Sequence, residues 1–364
     1  MQPEDIKVEL TNQPKEKPNG ELEFGKHFTD HMFIMDYTQG HGWHDPKIVP
    51  YQPLTLDPAS IIFHYGQTVF EGLKAYRTND DDIQLFRPKK NYARMNHSND
   101  RLVIPHIDET FAIEATKKLI SIDQDWVPAE EGTSLYVRPF IIATESYLGI
   151  APSTKYRFMI ILSPVGAYYK EGINPVKIAV ENKYVRAVLG GTGEAKTAGN
   201  YASSLMAQEL VAEEGFAQVL WLDGVSKKYI EEVGSMNVFF KINGEIITPA
   251  LNGSILPGVT RDSTIQLLKH WGYTVTERRI SMQEIVDSYH NNTLEEAFGT
   301  GTAAIISPIG QLYYDGQYLT INNQTTGDVA KRLFETIIGI QYGTMEDPFN
   351  WTTVLSKVEQ TSQK

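Results

Sequence analysis

With 364 residues the chain has room for two domains or one large one, and its 41% hydrophobic and 21% charged residues describe a globular protein, neither disordered nor collagenous. Its 33 basic against 45 acidic residues leave a net charge of −12, which disfavours a sequence-independent grip on phosphate backbones or anionic membranes. The absence of cysteine excludes disulfides, thiolate metal sites, iron–sulfur clusters and thiol nucleophiles together.

Residues 1–25 are rich in Pro, Lys and Glu and predict a flexible arm. They show neither the apolar run of a secretory signal nor the Arg-rich pattern of a transit peptide. No apolar stretch approaches the roughly 20 residues of a membrane span, so a cytoplasmic protein without membrane or nucleic-acid partners is expected. From residue 26 the composition becomes that of a folded body. HMFIMDYT (31–38), IIFHY (61–65) and TVFEGLKAYR (68–77) have the β-branched and aromatic content of strands, and QLF (84–86) follows a polar turn. Pro88 opens a helix in which Tyr92, Met95 and Leu102 share a face, with Arg94 turned elsewhere. A second helix is predicted over 109–122, and SLYVRPFIIATE and YRFMIILSPV read as long buried strands.

The segment 166–175, GAYYKEGINP, has Gly and Pro at its ends and predicts a linker between a small α+β domain (26–165) and a larger domain (176–364). In the second half VKIAV and AQVLWLD are strands, with a helix over 200–214 between them that Gly215 stops. A helix over 260–270 ends at Gly272, TVTERRI is a strand, Ser281 and Glu284 form a capping box, and 330–340 is a last amphipathic helix. The strands grouped ahead of helices in the first half and the near alternation in the second indicate an α+β domain followed by a mixed α/β domain.

Several motifs fail on inspection. GGTGEAKT (190–197) has Ala195 where a phosphate-cradling loop needs Gly, and Lys196 where a dinucleotide fingerprint needs its third Gly. Gly299, Gly301 and Ala304 fit the fingerprint's spacing but run into strand-like IISPIG. The histidines of HGWH (His41, His44) and the His27, Asp30, His31 group lack a matching third ligand, so no metal is expected. No nucleophile elbow of a serine hydrolase is present.

What survives is GGTGEAKTAGNYASSLMAQEL, a lysine in a glycine-rich bend before a helix. An ε-amine in that setting suits Schiff-base chemistry, because flanking glycines admit a bulky planar group to the backbone. Tyr201, five residues on, offers a phenol. YIEEVGSMN carries two carboxylates, Glu231 and Glu232, before a Gly-Ser turn, and LPGVTRDST enters a helix whose first N–H groups form an anion site. FGTGTA adds a second small-residue loop.

Together HYGQTVFEGLKAYR, LFRPKKNYARM, LYVRPF, GAYY, GGTGEAKTAGNY, WLDG, EEVGSMNVFF, LPGVTRDS and FGTGTAA, in this order from about residue 30 to about 310, resemble a fold type IV pyridoxal-phosphate enzyme, and in detail a branched-chain amino acid aminotransferase. The resemblance implies a small α+β domain, a larger domain with a partly barrel-like mixed sheet, and pyridoxal 5′-phosphate held as a Schiff base on Lys196. It assigns the ring nitrogen to Glu232, the cofactor's hydroxyl to Tyr201, and the phosphate to Arg94, Val259, Thr260 and Thr302, with Arg186 a further neighbour of the phosphate. Tyr65, Phe70, Tyr136 and Tyr168 would line an apolar substrate pocket, Arg138 would take the γ-carboxylate of glutamate, and Ser235, Gly301 and Ala303 would hold the α-carboxylate side. The implied reaction is reversible transamination between L-leucine, L-isoleucine or L-valine and 2-oxoglutarate, in a homodimer that shares its active sites. Two alternatives stand beside it: a D-amino acid aminotransferase or aminodeoxychorismate lyase on the same fold, which the arm and the LYVRP and GAYY blocks disfavour, and a protein that binds an anion at the LPGVT helix without catalysis. Ala304 and Ser307 replace the Cys-x-x-Cys that some members of this family carry, so thiol redox control at that loop is excluded.

Overall fold

A computed structural model of the chain describes residues 1–166 and 173–355, which fall into two compact units, 1–168 with 339–364, and 169–338.

The first unit is built on strands β1 (Lys7–Val8), β2 (His31–Thr38), β3 (Gly42–Pro50), β4 (Thr68–Phe70), β5 (Leu73–Arg77), β6 (Ile83–Phe86), β7 (Ser134–Ala143) and β8 (Lys155–Val165). They lie in the order β1-β3-β2-β8-β7-β5-β6, with β4 also on β7 and the late strand Thr352–Val354 on β6. Alternation along β7 decides which face is core. Leu135, Val137 and Ile141 pack with Leu73, Ala75, Phe158 and Leu162 against helices α2 (Pro88–Leu102) and α3 (Glu109–Ile122), through Tyr92, Met95, Phe111 and Leu119. Tyr136 and Arg138 are therefore left on the opposite face. The helix starts follow the expected chemistry: Pro88 occupies the first turn of α2, and the Asp108 carboxylate caps α3 by accepting from the Phe111 N–H at 2.9 Å.

The second unit contains β9 (Val176–Glu181), β10 (Gln218–Leu222), β11 (Ile230–Val233), β12 (Met236–Ile242), β13 (Glu245–Thr248), β14 (Val275–Glu277), β15 (Leu294–Gly301), β16 (Ile305–Tyr314) and β17 (Gln317–Thr320). The pairings β9–β10, β10–β11, β11–β12, β12–β15, β15–β16 and β16–β9 close a ring, so six strands form a barrel, with β13, β14 and β17 outside it. Closure removes the sheet edges. Its core holds Ile178, Leu220, Leu222, Val233, Val238, Phe240 and Leu312. Short helices α4 (Ala198–Ala202) and α5 (Leu205–Glu213), and then α6 (Val259–His270), α7 (Met282–His290) and α8 (Asp328–Gln341), accompany it.

Four expectations are corrected. The arm at 1–25 is not loose: Ile6 is 3% exposed, β1 pairs with β3, and the His31 ring, held by Asp123 at 2.6 Å, accepts the Thr11 N–H at 2.9 Å. The sparse apolar content hid these anchors because they are single residues in a polar stretch. IIFHY is a helical turn, α1 (Ile61–Tyr65), closed by Gly66 at φ 58°, and its aromatic content had read as strand. The predicted helix over 200–214 is broken at Ser203–Ser204 into α4 and α5, where serine hydroxyls bond back to the carbonyls of Asn200 and Tyr201. Finally, the larger domain does not take in the last described residues, because 339–355 belong to the first unit. The capping box is half formed: Ser281 Oγ accepts the Glu284 N–H, while the Glu284 carboxylate goes to Arg278.

Candidate active site

The bend before α4 is fixed by its own side chains. Asn200 donates to the carbonyls of Thr192 and Ala195, both at 2.8 Å, and accepts from Thr192 Oγ1 at 2.7 Å. Gly193 is pressed against the neighbouring loop, where a Cβ would lie 2.1 Å from the Ser254 carbonyl oxygen and 2.6 Å from the Ala187 methyl. A Gly193→Ala protein is accordingly expected to lose about 2–3 kcal/mol of stability by overpacking against backbone. Denaturant unfolding that moved by less than about 0.5 kcal/mol would refute this tight fit.

On that bend Lys196 Nζ donates to Tyr201 Oη at 2.7 Å, joining the two residues that sequence singled out. Across the barrel wall β11 lies between β10 and β12, with Glu232 opposite Trp221 and Asn237. Glu232 is 3% exposed; one oxygen accepts the Leu256 N–H at 2.8 Å and the other lies 3.2 Å from Arg186 Nε. Burial pushes its carboxyl up, and the Arg186 charge and the Leu256 N–H oppose that rise. Arg186 also donates to the carbonyl oxygens of Gly193, at 3.2 Å, and Ser254. Arg186, expected as a neighbour of the phosphate, stands beside Glu232, where a buried carboxylate needs a cation. A cavity lined by Arg186, Asn200, Tyr201, Glu232, Ser235 and Leu256 opens between these groups.

Elsewhere in the second unit, Gly258 is the N-cap of α6 and offers no capping side chain to the first-turn N–H groups of Val259 and Thr260. A Cβ on Gly258 would lie 2.0 Å from Asn237 Oδ1, so any other residue would have to displace that amide. That uncapped turn suits a phosphate, as the Lys–Tyr pair and the buried carboxylate suit the rest of a pyridoxal cofactor. Gly301 ends β15, Thr302 and Ala303 lie in its connection to β16, and Ser235 is exposed in the turn from β11 to β12. Next to the first connection, Ile305 holds φ 63°, a left-handed conformation that a β-branched residue adopts only under constraint. Nothing in the local sequence signals it.

The remaining residues belong to the first unit. Phe70 on β4 pairs with Phe140, so it shares a sheet face with Tyr136 and Arg138. The Arg138 guanidinium lies 4.7 Å from the Phe70 ring centre and donates to Tyr136 Oη at 2.9 Å, while its Nε is buried without a hydrogen-bond partner among the described residues. A buried donor of that kind is served by a water or an anion. Tyr65 ends α1, 43% exposed, with its hydroxyl on the Leu148 carbonyl. Arg94 is buried in a bidentate pair with Glu71, at 2.7 and 2.9 Å. Tyr168 lies outside the described residues.

Sequence reasoning missed four neighbours. Glu71 receives Arg94. Asn200 orders the lysine bend. Phe24 sets its ring edge-on to Tyr136 at 4.8 Å. Lys74 stands directly opposite Tyr136, and burial draws its ammonium down to about 8. The period-two pattern of LKAYR against SLYVRPF carried the signal for Lys74; Phe24 sits in the polar arm, with no local pattern to reveal it.

The chain matches the family described as amino-transferase class IV over residues 68–312. It is 62% identical over 362 residues to a Bacillus subtilis protein, branched-chain-amino-acid aminotransferase 2, covering 99% of this chain and 100% of the relative. A Mycolicibacterium smegmatis branched-chain-amino-acid aminotransferase is 47% identical over 339 residues, 92% of each chain. Among solved structures, an Escherichia coli branched-chain amino acid aminotransferase superimposes with a TM-score of 0.70 at 26% identity, over 88% of this chain and 98% of that one.

Proposed function

The chain belongs to the class IV aminotransferases, and from that premise we propose that it transfers an amino group between L-leucine, L-isoleucine or L-valine and 2-oxoglutarate, acting in the cytoplasm as a homodimer. Pyridoxal phosphate, when bound, supplies the carbonyl that takes up the amino group and a ring that accepts the electron pair left on the substrate Cα. The observation that carries the assignment of roles is the Lys196–Tyr201 contact at 2.7 Å beside a cavity that a buried Glu232 also lines.

Lys196 Nζ anchors the cofactor and is the base that takes and returns the Cα proton, and Tyr201 Oη holds that amine in place. Glu232, whose charge Arg186 and the Leu256 N–H support against burial, would hold the ring nitrogen and favour its protonated form. Val259 and Thr260, with Thr302 and Arg94, hold the phosphate by helix N–H groups, a hydroxyl and a fixed charge. Tyr65, Phe70, Tyr136 and Tyr168 exclude water from the aliphatic side chain, and Ser235, Gly301 and Ala303 serve the α-carboxylate side.

Arg138 solves the problem of one pocket with two kinds of tenant. Its guanidinium lies on aromatic faces, where an aliphatic chain can pack, and its buried Nε awaits a γ-carboxylate. An Arg138→Met enzyme should show a KM for 2-oxoglutarate raised about 10- to 100-fold, from the loss of a charged hydrogen bond, with the KM for L-leucine changed less than about threefold. Equal changes in both would remove Arg138 from this role. Activity confined to D-amino acids would move the whole reaction elsewhere within the fold.

An apolar surface supports the dimer. Phe63 (60% exposed), Tyr65, Tyr147, Leu148 (61%) and Ile150 (90%) sit on α1 and the segment 147–150, which the Tyr65–Leu148 bond ties together. Such a patch marks an interaction surface. Sedimentation is expected to give twice 41.0 kDa, and a single-chain mass at micromolar concentration would end the proposal of a dimer.

A further inference from the structure

Two consecutive carboxyl groups, Glu231 and Glu232, are buried in β11 at 4% and 3% exposure, and Arg186 is the cation they share. Hydrogen-bond accounting tells their protonation apart. Glu232 needs no proton, because one oxygen takes the Leu256 N–H and the other faces Arg186.

Glu231 differs. Its Oε1 meets Ser254 Oγ, which also lies 2.8 Å from Asn252 Oδ1. The Ser254 N–H donates to that same Asn252 oxygen at 3.1 Å, which fixes the amide's orientation. One hydroxyl hydrogen cannot serve two acceptors. Both contacts are satisfied if Ser254 donates to Asn252 and Glu231 carries a proton that it donates to Ser254. The other Glu231 oxygen is buried with no hydrogen-bond partner among the described residues, tolerable for a neutral acid and costly for an anion. The charged surroundings agree. Burial raises the Glu231 carboxyl, and Asp223 adds to the rise against Ser254, Arg186 and the Asn252 side chain. Asp223 is a firm anion: despite its own desolvation, the N–H groups of Tyr229, Ser226 and Lys228 hold it well below the ordinary carboxylate range. Lys196 faces the pair from the Glu232 side.

We propose that Glu231 is a proton reserve for the ring-nitrogen site, neutral in the cofactor-free chain and ionised when an unprotonated ring nitrogen docks on Glu232 and takes up that proton. The charge balances. Before docking, Arg186 (+1), Glu232 (−1) and Glu231 (0) sum to zero. Afterwards Glu231 has lost its proton and the ring nitrogen has gained one, so the sum is again zero without a proton drawn from solvent. Glu231 acts here as a positioning residue, through charge, and the inference rests on Glu232 meeting the ring nitrogen as proposed above.

The test is infrared difference spectroscopy on the cofactor-free protein at neutral pH, with Glu231→Gln as reference. One carboxylic-acid C=O band per chain should be present, absent from the variant, and lost when pyridoxal phosphate is added. Calorimetry of pyridoxal phosphate binding in buffers of different ionisation enthalpy should then show the variant taking up about one more proton than the parent. An apo protein without the acid band overturns the proposal. So does a band that persists while the cofactor's visible absorbance forms on Lys196, and in that outcome the roles of Lys196 and Glu232 are untouched. If no visible absorbance forms at all, it is the functional reading that fails.

Discussion

A Lys196→Ala enzyme is expected to lose transamination by about four orders of magnitude or more, because it lacks the group proposed both to anchor the cofactor and to move the Cα proton. Folding should survive. Lys196 is half-buried, and its side-chain contact to Tyr201 leaves a phenol that water can satisfy. The variant should therefore keep the parent's unfolding midpoint to within a few degrees while showing no covalent cofactor absorbance. Residual activity within about a hundredfold of the parent would mean that another amine does the chemistry, and Lys74, whose burial brings its ammonium to about 8, would be the first to examine.

The second large effect is expected at Glu232. A glutamine there keeps the shape and an acceptor for the Leu256 N–H but removes the carboxylate proposed to meet the ring nitrogen. The loss of that charge stabilisation should lower kcat on the order of a hundredfold to a thousandfold, in a water-poor site where charge interactions are strong. Arg186 keeps company in Glu231, which can ionise in its turn, so the fold should tolerate Glu232→Gln better than a variant that emptied both positions. The distinguishing feature is that the cofactor still binds and still absorbs, whereas Lys196→Ala abolishes that absorbance. Full kcat in Glu232→Gln would mean that the electron pair on the substrate Cα is stabilised by some other group.

What was legible in the sequence follows a physical division. Long helices with proper ends, such as α3 capped by Asp108, and long apolar strands, such as β7 and β8, are specified by period, apolar run length and turn chemistry within a few residues. Motif spacing also put Lys196 with Tyr201, five residues along one bend and turn. The partly barrel-like sheet came from the family resemblance and is present; the residue pattern alone does not reveal it, because closure depends on β11 meeting both β10 and β12 and on β16 meeting β9 in parallel, pairings set by three-dimensional register. The aromatic run IIFHY became α1 for a related reason: Gly66 at φ 58° ends a helical turn that aromatic content cannot announce.

Within the site, residue types were readable and charge states were not. Arg186 looked like a phosphate ligand by its distance from the lysine, but a cation ten residues upstream has no fixed direction until β11 and the 252–256 segment stand beside it. The two adjacent glutamates were indistinguishable in sequence, and the fold separates them by what each oxygen faces: a backbone N–H and a guanidinium for Glu232, a serine already committed to Asn252 for Glu231. Arg138 was legible as a cation beside aromatics, while the pairing of Arg94 with Glu71 arises from a buried helix–strand contact that no local pattern encodes.

The central claim, that Lys196 and Glu232 with their neighbours form the working site of a branched-chain aminotransferase, is tested most directly by the visible absorbance of the purified protein loaded with pyridoxal phosphate. L-leucine should bleach the band, and after its removal 2-oxoglutarate should restore it, with one amino group transferred per chain in each half. A band that ignores L-leucine, or one bleached by L-leucine that 2-oxoglutarate fails to restore, would contradict the account.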